Sequence, residues 1–176
     1  MRYPWYDVVS GTAPMEQGDI LLNCPVVVPQ TNSLSQGAVL DFEIAEFDII
    51  VMTQSCDLAH GRSLLVCTCP VWQLADYARV RGQFGSAGER EMLRQGRMPG
   101  LHLLNKCDLS GHACDHLVAD FRSTYGVPFQ FLAEFAKQQD GRLRLLPPYR
   151  EHLSQAFARF FMRVGLPTDI PPFKSR

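Results

Sequence analysis

Side chains able to take part in catalysis are concentrated directly after an apolar, β-branched run at residues 49–52. Residues 53–60 supply two hydroxyls, an amide, a thiol, a carboxylate and an imidazole. They come from Thr53, Gln54, Ser55, Cys56, Asp57 and His60. A buried strand that ends in polar residues often carries a functional site, because the strand holds the following turn in place. The sequence therefore predicts a site at this turn.

Cys56 is the candidate nucleophile of this turn. A thiol becomes catalytic when a neighbouring base activates it and a third group orients that base. His60 and Asp57 are the candidates for these two roles, although His60 reaches the thiol only if the turn is helical. Two alternatives stay open. Thr53, Gln54 and Ser55 can form a non-catalytic contact site with Cys56, or Cys56 is a half-buried thiol beside an Asp57 that caps the turn.

A second cluster has the spacing Cys-x4-His-x-Cys-x-His. Its members are Cys107, His112, Cys114 and His116. Thiolates and imidazoles are the ligands that tetrahedral zinc prefers, and ligands two residues apart on an extended segment can face one ion. The cluster lacks the Cys-x2-Cys pair of standard zinc fingers. A polar loop with incidental Cys and His is our prediction, with no metal and no other cofactor, and zinc binding stays the alternative.

Charge is distributed unevenly along the chain. Residues 1–70 hold two basic and eight acidic residues, a balance of −6, and residues 3–61 contain no Lys or Arg. Residues 71–106 hold six basic and three acidic residues, a balance of +3. A nucleic-acid surface needs positive charge, so only the middle and C-terminal parts can supply one. The candidate contacts are Arg62, Arg79, Arg81, Arg90, Arg94 and Arg97. A solvated helix face is the alternative for most of these arginines.

Length and composition predict one globular domain over residues 1–176, with a lead-in at 1–17 and a helical insert at 71–100. The chain contains no apolar run of about 18 residues, so we expect no membrane span. The N-terminus lacks the apolar core of a secretory signal. We therefore expect a cytoplasmic protein whose six cysteines are reduced.

Hydrophobic periodicity predicts the elements. Strands are expected at 18–24, with an edge or bent continuation to 29, and at 39–46, 48–53, 63–69, 101–104 and 117–122. A strand or a turn is expected at 141–146. Helices are expected at 73–81, 89–95 and 129–137. A C-terminal amphipathic helix follows from the spacing of Leu153, Phe157, Phe160, Phe161 and Val164, with Gly165 as its end. We expect its apolar stripe to be buried against the strand that contains Ile49 to Met52.

Four places in this order resemble the MazF/PemK-type growth-inhibitor family. They are the opening turn Gly18-Asp19-Ile20, the strand Ile49 to Gln54, the late strand Leu117 to Thr124, and the closing helix Leu153 to Leu166. The resemblance implies an α+β fold, with a strongly bent antiparallel SH3-like β-barrel. Those proteins cleave RNA with help from an arginine near the loop after the first strand, and this chain has no basic residue there. The segment Thr53 to Leu58 also looks like one in small uncharacterised bacterial proteins.

We therefore expect a growth-inhibitor-like binding module for RNA, DNA or a protein partner, without strong catalysis. Its contact surface would combine the 53–60 turn with the arginine-bearing insert. The enzyme alternatives are an RNA-cleaving toxin and a Cys56-dependent hydrolase. A structural accessory subunit, dimeric through a sheet edge, is a third class.

Overall fold

The computed structural model describes residues 3–29, 42–60 and 63–162. Within these ranges, eight β-strands form one antiparallel sheet and five α-helices flank it. The strands are β1 (Tyr6–Val9), β2 (Asp19–Pro29), β3 (Phe42–Val51), β4 (Leu65–Gln73), β5 (Leu101–Leu104), β6 (Leu117–Asp120), β7 (Tyr125–Pro128) and β8 (Arg142–Leu145). The helices are α1 (Ser55–Ala59), α2 (Leu74–Arg81), α3 (Ala87–Arg94), α4 (Phe129–Lys137) and α5 (Tyr149–Phe161).

The strand order across the sheet is β1-β8-β2-β3-β4-β6-β5, and β7 pairs with β4 off this path. β1 and β5 lie at the two ends, so the sheet stays open over the described part of the chain. The predicted α+β class and antiparallel sheet are confirmed. The late strand β8 lies between β1 and β2, which are neighbours in sequence.

β2 has an irregularity that lies before Pro25, and not within the proline-bracketed segment 25–29 for which the sequence predicts an edge position or a bend. Its register against β3 shifts between Leu21 and Cys24, and Asn23 at the shift has a φ of 52°. Asn is among the few non-glycine residues that adopt this left-handed conformation readily. The Asn23 backbone N–H donates to Asp48 Oδ1 at 2.9 Å. This bulge brings Asp48 beside β2 at the centre of the sheet.

The two faces of the sheet carry separate cores. One face packs against α5 and the loop after β5, and its buried residues include Ile20, Ile50, Val71, Leu117, Leu143 and Leu153. The other face packs against α1 and α4 through residues such as Leu21, Ile49, Val51, Leu58 and Leu132. The α2–α3 insert has its own small core at the β5–β6 end, formed by Tyr77, Phe84, Leu93, Leu101 and Val118.

A buried arginine fastens the N-terminal loop to the sheet. The Arg142 side chain is fully buried, and its Nε donates to Asp19 Oδ2 at 2.8 Å. Its other nitrogens donate to the backbone carbonyls of Ser10, Gly11, Ala13 and Pro14. A buried charge is tolerated only when paired and hydrogen-bonded, and this one is fully engaged.

A second polar cluster fastens the insert. Arg122 binds the buried Asp120 carboxylate through Nε and Nη2, each at 2.8 Å, and also contacts the Tyr77 hydroxyl. Burial would raise the pKa of Asp120, but the hydrogen bonds from Arg122 outweigh it and the pKa is lowered. Asp120 is therefore an ionised structural residue that joins α2 to β6.

Several predicted boundaries differ from the structure. The lead-in at 1–17 contains β1, and the two strands expected at 39–46 and 48–53 are one strand, β3. Its exposure changes along its length because only its second half enters the core. The short elements α1 and β7 were not expected. α2, α3, α4 and β5 lie where periodicity places them.

The C-terminal helix follows its prediction in part. Leu153 is fully buried, and Phe157 and Phe160 are half-buried against the core that holds Ile50 and Met52. The prediction for Phe161 is wrong, since that side chain is 61% exposed. Val164 and Gly165 lie outside the described residues, as does Arg62.

No helix in the described ranges combines the length and the apolar character that a bilayer span requires.

Candidate functional site

The hydroxyls of the 53–60 turn hold the turn in place. Thr53 Oγ1 accepts the backbone N–H of Cys67 at 2.8 Å, which joins the turn to β4. Ser55 Oγ accepts the backbone N–H of Gln17 at 3.1 Å, which joins it to the loop that Arg142 fastens. Both groups are therefore occupied by structural hydrogen bonds.

The turn is helical, so Cys56 and His60 have the i,i+4 spacing that a nucleophile and its base would need. The His60 ring, however, lies with Nδ1 2.6 Å from the Cys56 backbone oxygen. The exposed Cys56 thiol contacts Gln54 Oε1 at 3.7 Å. Asp57 is half-buried on the first turn of α1. The structure thus brings the three residues together without placing the imidazole on the thiol.

The insert arginines are exposed, and three of them have local partners. Arg79 pairs with Asp76 at 2.9 Å. Arg94 forms two hydrogen bonds with Glu91, at 2.7 and 2.6 Å. Arg90 Nε donates to the Phe84 carbonyl at 2.8 Å. Arg81 and Arg97 are the two other exposed arginines of the insert.

The insert and the 53–60 turn lie at opposite ends of β4. The turn precedes the strand, and α2 begins directly after it. Thr53 is held at Cys67, and the six residues from there to Gln73, where the strand ends, span about 20 Å. The single surface expected to combine the two features is therefore split into two separate regions.

The Cys/His loop does not gather its four side chains around one point. Cys107 and Cys114 face each other in an isolated bridge, with both N–H···O distances 2.9 Å. His116 Nδ1 instead lies 3.0 Å from Asp115. Among the residues that the structure describes, no three His, Cys, Asp or Glu side chains are arranged to hold a metal ion.

His112 and Cys114 take part in a different feature, a cleft of about 220 Å³ that we call the acidic cleft. Its apolar floor is formed by Ile20, Leu22, Val71, Leu117 and Leu143. Its polar rim is formed by Asp48, Gln73, His112, Cys114 and Gln139. Burial raises the pKa of Cys114, so its thiol is neutral near pH 7.

The acidic cleft continues into a groove that shares Asp48, Val71 and Gln73 and adds Glu46, together with Asp76 and Arg79, which pair with each other. Alternate residues of a strand project on one face, so Phe42, Ile44, Glu46 and Asp48 form a row along β3, the β3 strip. Glu46 and Asp48 form no ion pair with any described residue. Arg142 also lines the cleft, but its nitrogens are directed to Asp19 and to carbonyl groups.

No protein-family model, no curated protein and no solved structure matches this chain. Sequence reasoning missed the acidic cleft because its residues come from five strands and two loops. The available signal was the balance of −6 in residues 1–70, which include both carboxylates of the β3 strip.

Proposed function

We propose that this chain is a protein-binding module on a growth-inhibitor-like, SH3-like sheet, and that its partner inserts a basic side chain into the acidic cleft. The observation that carries the proposal is the cleft with its apolar floor and Asp48, together with the adjoining groove that adds Glu46. Neither carboxylate forms an ion pair within the described ranges. A concave apolar site with a few convergent polar groups is the usual form of a binding pocket.

Charge selects a cationic occupant. Glu46 and Asp48 are two positions apart on one strand, so their side chains start about 7 Å apart on the same face. Two carboxylates at this distance repel each other and attract a Lys or Arg side chain. The aliphatic stem of such a side chain would lie along Leu22, Val71 and Leu117, which line the floor.

The β3 strip supplies apolar contacts beyond the charged part. Ile44 is 69% exposed and Phe42 is 57% exposed. Val27 of β2 lies directly opposite Ile44 and is also exposed. A row of large apolar side chains next to charged ones is typical of protein interfaces. We therefore expect a partner segment in which a basic residue is flanked by apolar residues.

The enzyme alternatives receive no support from the contacts of Cys56. A Cys-dependent hydrolase needs a base on the thiol, whereas His60 Nδ1 lies against a backbone oxygen. Nucleic acid is also a poor occupant of the cleft, because the carboxylates would repel its phosphates. A contact surface is the role that fits both the 53–60 turn and the acidic cleft.

The test uses a library of random peptides displayed on phage and selected on the immobilised chain. We expect enriched peptides to carry Lys or Arg beside apolar residues. Asp48→Asn, which keeps the oxygen that accepts the Asn23 N–H, should weaken their binding about tenfold, as should Glu46→Gln. Binding should also fall with added salt, because salt screens exposed charges.

Two variants serve as controls. Glu151→Gln removes an exposed carboxylate on α5, and Cys56→Ser removes the thiol; both should bind like the parent chain. Peptides without a preference for basic residues, or binding that survives Asp48→Asn, would overturn the proposal. A mass that rises with protein concentration in sedimentation, and no longer does so in Asp48→Asn, would instead assign the cleft to a second copy of this chain.

A further inference from the structure

A separate crevice of about 250 Å³ lies between α5 and the segment that joins α3 to β5. We call it the α5 crevice. One wall is formed by Gly96, Met98, Pro99, Leu101 and His102. The other wall is formed by residues of one helical stripe, His152, Gln155, Ala156 and Arg159. It lies outside the acidic cleft and shares no lining residue with it.

Three side chains that carry or can carry positive charge converge on this crevice, namely His102, His152 and Arg159. None of the described residues that line it has a carboxylate. Arg159 forms no ion pair in the described ranges, and its hydrogen bond to Gln155 Oε1 is long, at 3.4 Å. Its guanidinium therefore retains free donors on the crevice side of the helix.

His102 forms the inner end of the cluster. Its ring stacks on Phe121 with a centroid distance of 6.2 Å, and the residue is half-buried on β5. Burial, together with His152 and Arg159, lowers the pKa of His102 to about 4. Burial is the larger cause, so this imidazole is neutral near pH 7. A bound anion would offset the contribution of His152 and Arg159.

We propose that the α5 crevice binds a phosphate group, with Arg159 and His152 on one side and His102 on the other. A guanidinium can donate to two phosphate oxygens at once, and the imidazoles can donate to further oxygens. Donors on both walls match a tetrahedral anion, whose oxygens point in several directions, better than a planar carboxylate. This ligand class goes beyond the proposed protein-binding function and does not depend on it.

The test is a titration of the parent chain with inorganic phosphate, followed through the NMR signals of the His102 and His152 rings. Ionic strength is held constant with chloride. We expect both rings to shift in a saturable way with phosphate. Arg159→Gln and His152→Asn should each weaken binding about tenfold or more, because each removes a charge-assisted hydrogen bond. Arg79→Gln, which alters an exposed arginine on α2, is the matched control and should leave binding unchanged.

Two further probes identify the source of the phosphate. Glycerol phosphate carries a terminal phosphate, and a dinucleotide carries an internal phosphodiester; the tighter binder at the same two rings decides between them. Shifts that chloride reproduces, or binding that Arg159→Gln leaves intact, would overturn the proposal. Retention of the parent's thermal unfolding temperature by Arg159→Gln would show that a loss of binding does not come from unfolding.

Discussion

The acidic cleft and the α5 crevice are openings beside the same sheet, yet they carry opposite charge. The cleft is lined by strands near the middle of the sheet, and its carboxylates lie on β3. The crevice is lined by β5, at the edge of the sheet, and by α5, and its described lining has only cationic and neutral side chains. A net charge of −1 conceals this separation. Ligand class therefore follows from the local arrangement of charge and not from the total.

The largest effect should come from the arginine that supports the cleft. Arg142→Met removes one of the two arginines that bind the buried Asp19, since Arg144 remains, and takes a donor away from four backbone carbonyls, of which those of Gly11 and Ala13 have no other donor among the described residues. We expect a loss of about 3–5 kcal/mol in the free energy of unfolding, measured by denaturant titration. Arg79→Met, at an exposed pair, should change it by less than about 0.5 kcal/mol. A loss below about 1 kcal/mol in Arg142→Met would show that the network is dispensable.

The crevice should make stability depend on pH. His102 has a pKa of about 4 in the folded chain, whereas an unfolded His has a pKa of about 6.5. Below about pH 6.5 the unfolded state therefore binds a proton that the folded state does not. We expect the free energy of unfolding of the parent to fall by about 2 kcal/mol between pH 7 and pH 5 because of this group. His152 and Arg159 face His102 from α5, and both also lower its pKa.

The measurement compares this loss in the parent and in His102→Asn by denaturant titration at both pH values. Between pH 7 and pH 5, the free energy of unfolding of His102→Asn should fall by about 2 kcal/mol less than that of the parent, whatever the variant's stability at pH 7. Bound phosphate should also reduce the parent's loss, because an anion favours the protonated imidazole. Equal losses in the two proteins would contradict the role given to His102.

The smallest effect distinguishes a binding residue from a structural one. Asp48→Asn and Arg159→Gln should each change the free energy of unfolding by less than about 0.5 kcal/mol, because neither charge has an ionic partner in the described chain. Thermal and denaturant unfolding check this. A loss above about 1 kcal/mol in either variant would mean that the side chain stabilises the fold.

Sequence patterns predicted those elements whose pattern is complete within the element. The helix α4 carries its apolar residues at helical spacing, and α3 begins with a capping box between Ser86 and Glu89. β1 and β7 were missed because each has four residues and depends on a distant partner strand. The single strand β3 was divided in two because its exposure changes along its length.

The candidate sites were harder to predict for a different physical reason. Proximity in sequence placed Cys56 beside His60, but helix geometry directed the ring to a backbone oxygen. The crevice residues His102, His152 and Arg159 come from distant parts of the chain and meet only in the folded protein. Residue types therefore indicated chemistry, whereas strand order and helix docking decided which side chains meet.

The position of β8 has a consequence for synthesis on the ribosome. β1 and β2 emerge early, but each pairs with β8. The buried partner of Asp19, Arg142, is synthesised 123 residues later. Until that strand leaves the exit tunnel, the first strand has unpaired backbone groups and the N-terminal loop lacks its fastening. Nascent chains should therefore remain sensitive to proteases and to aggregation until residues 142–145 are available.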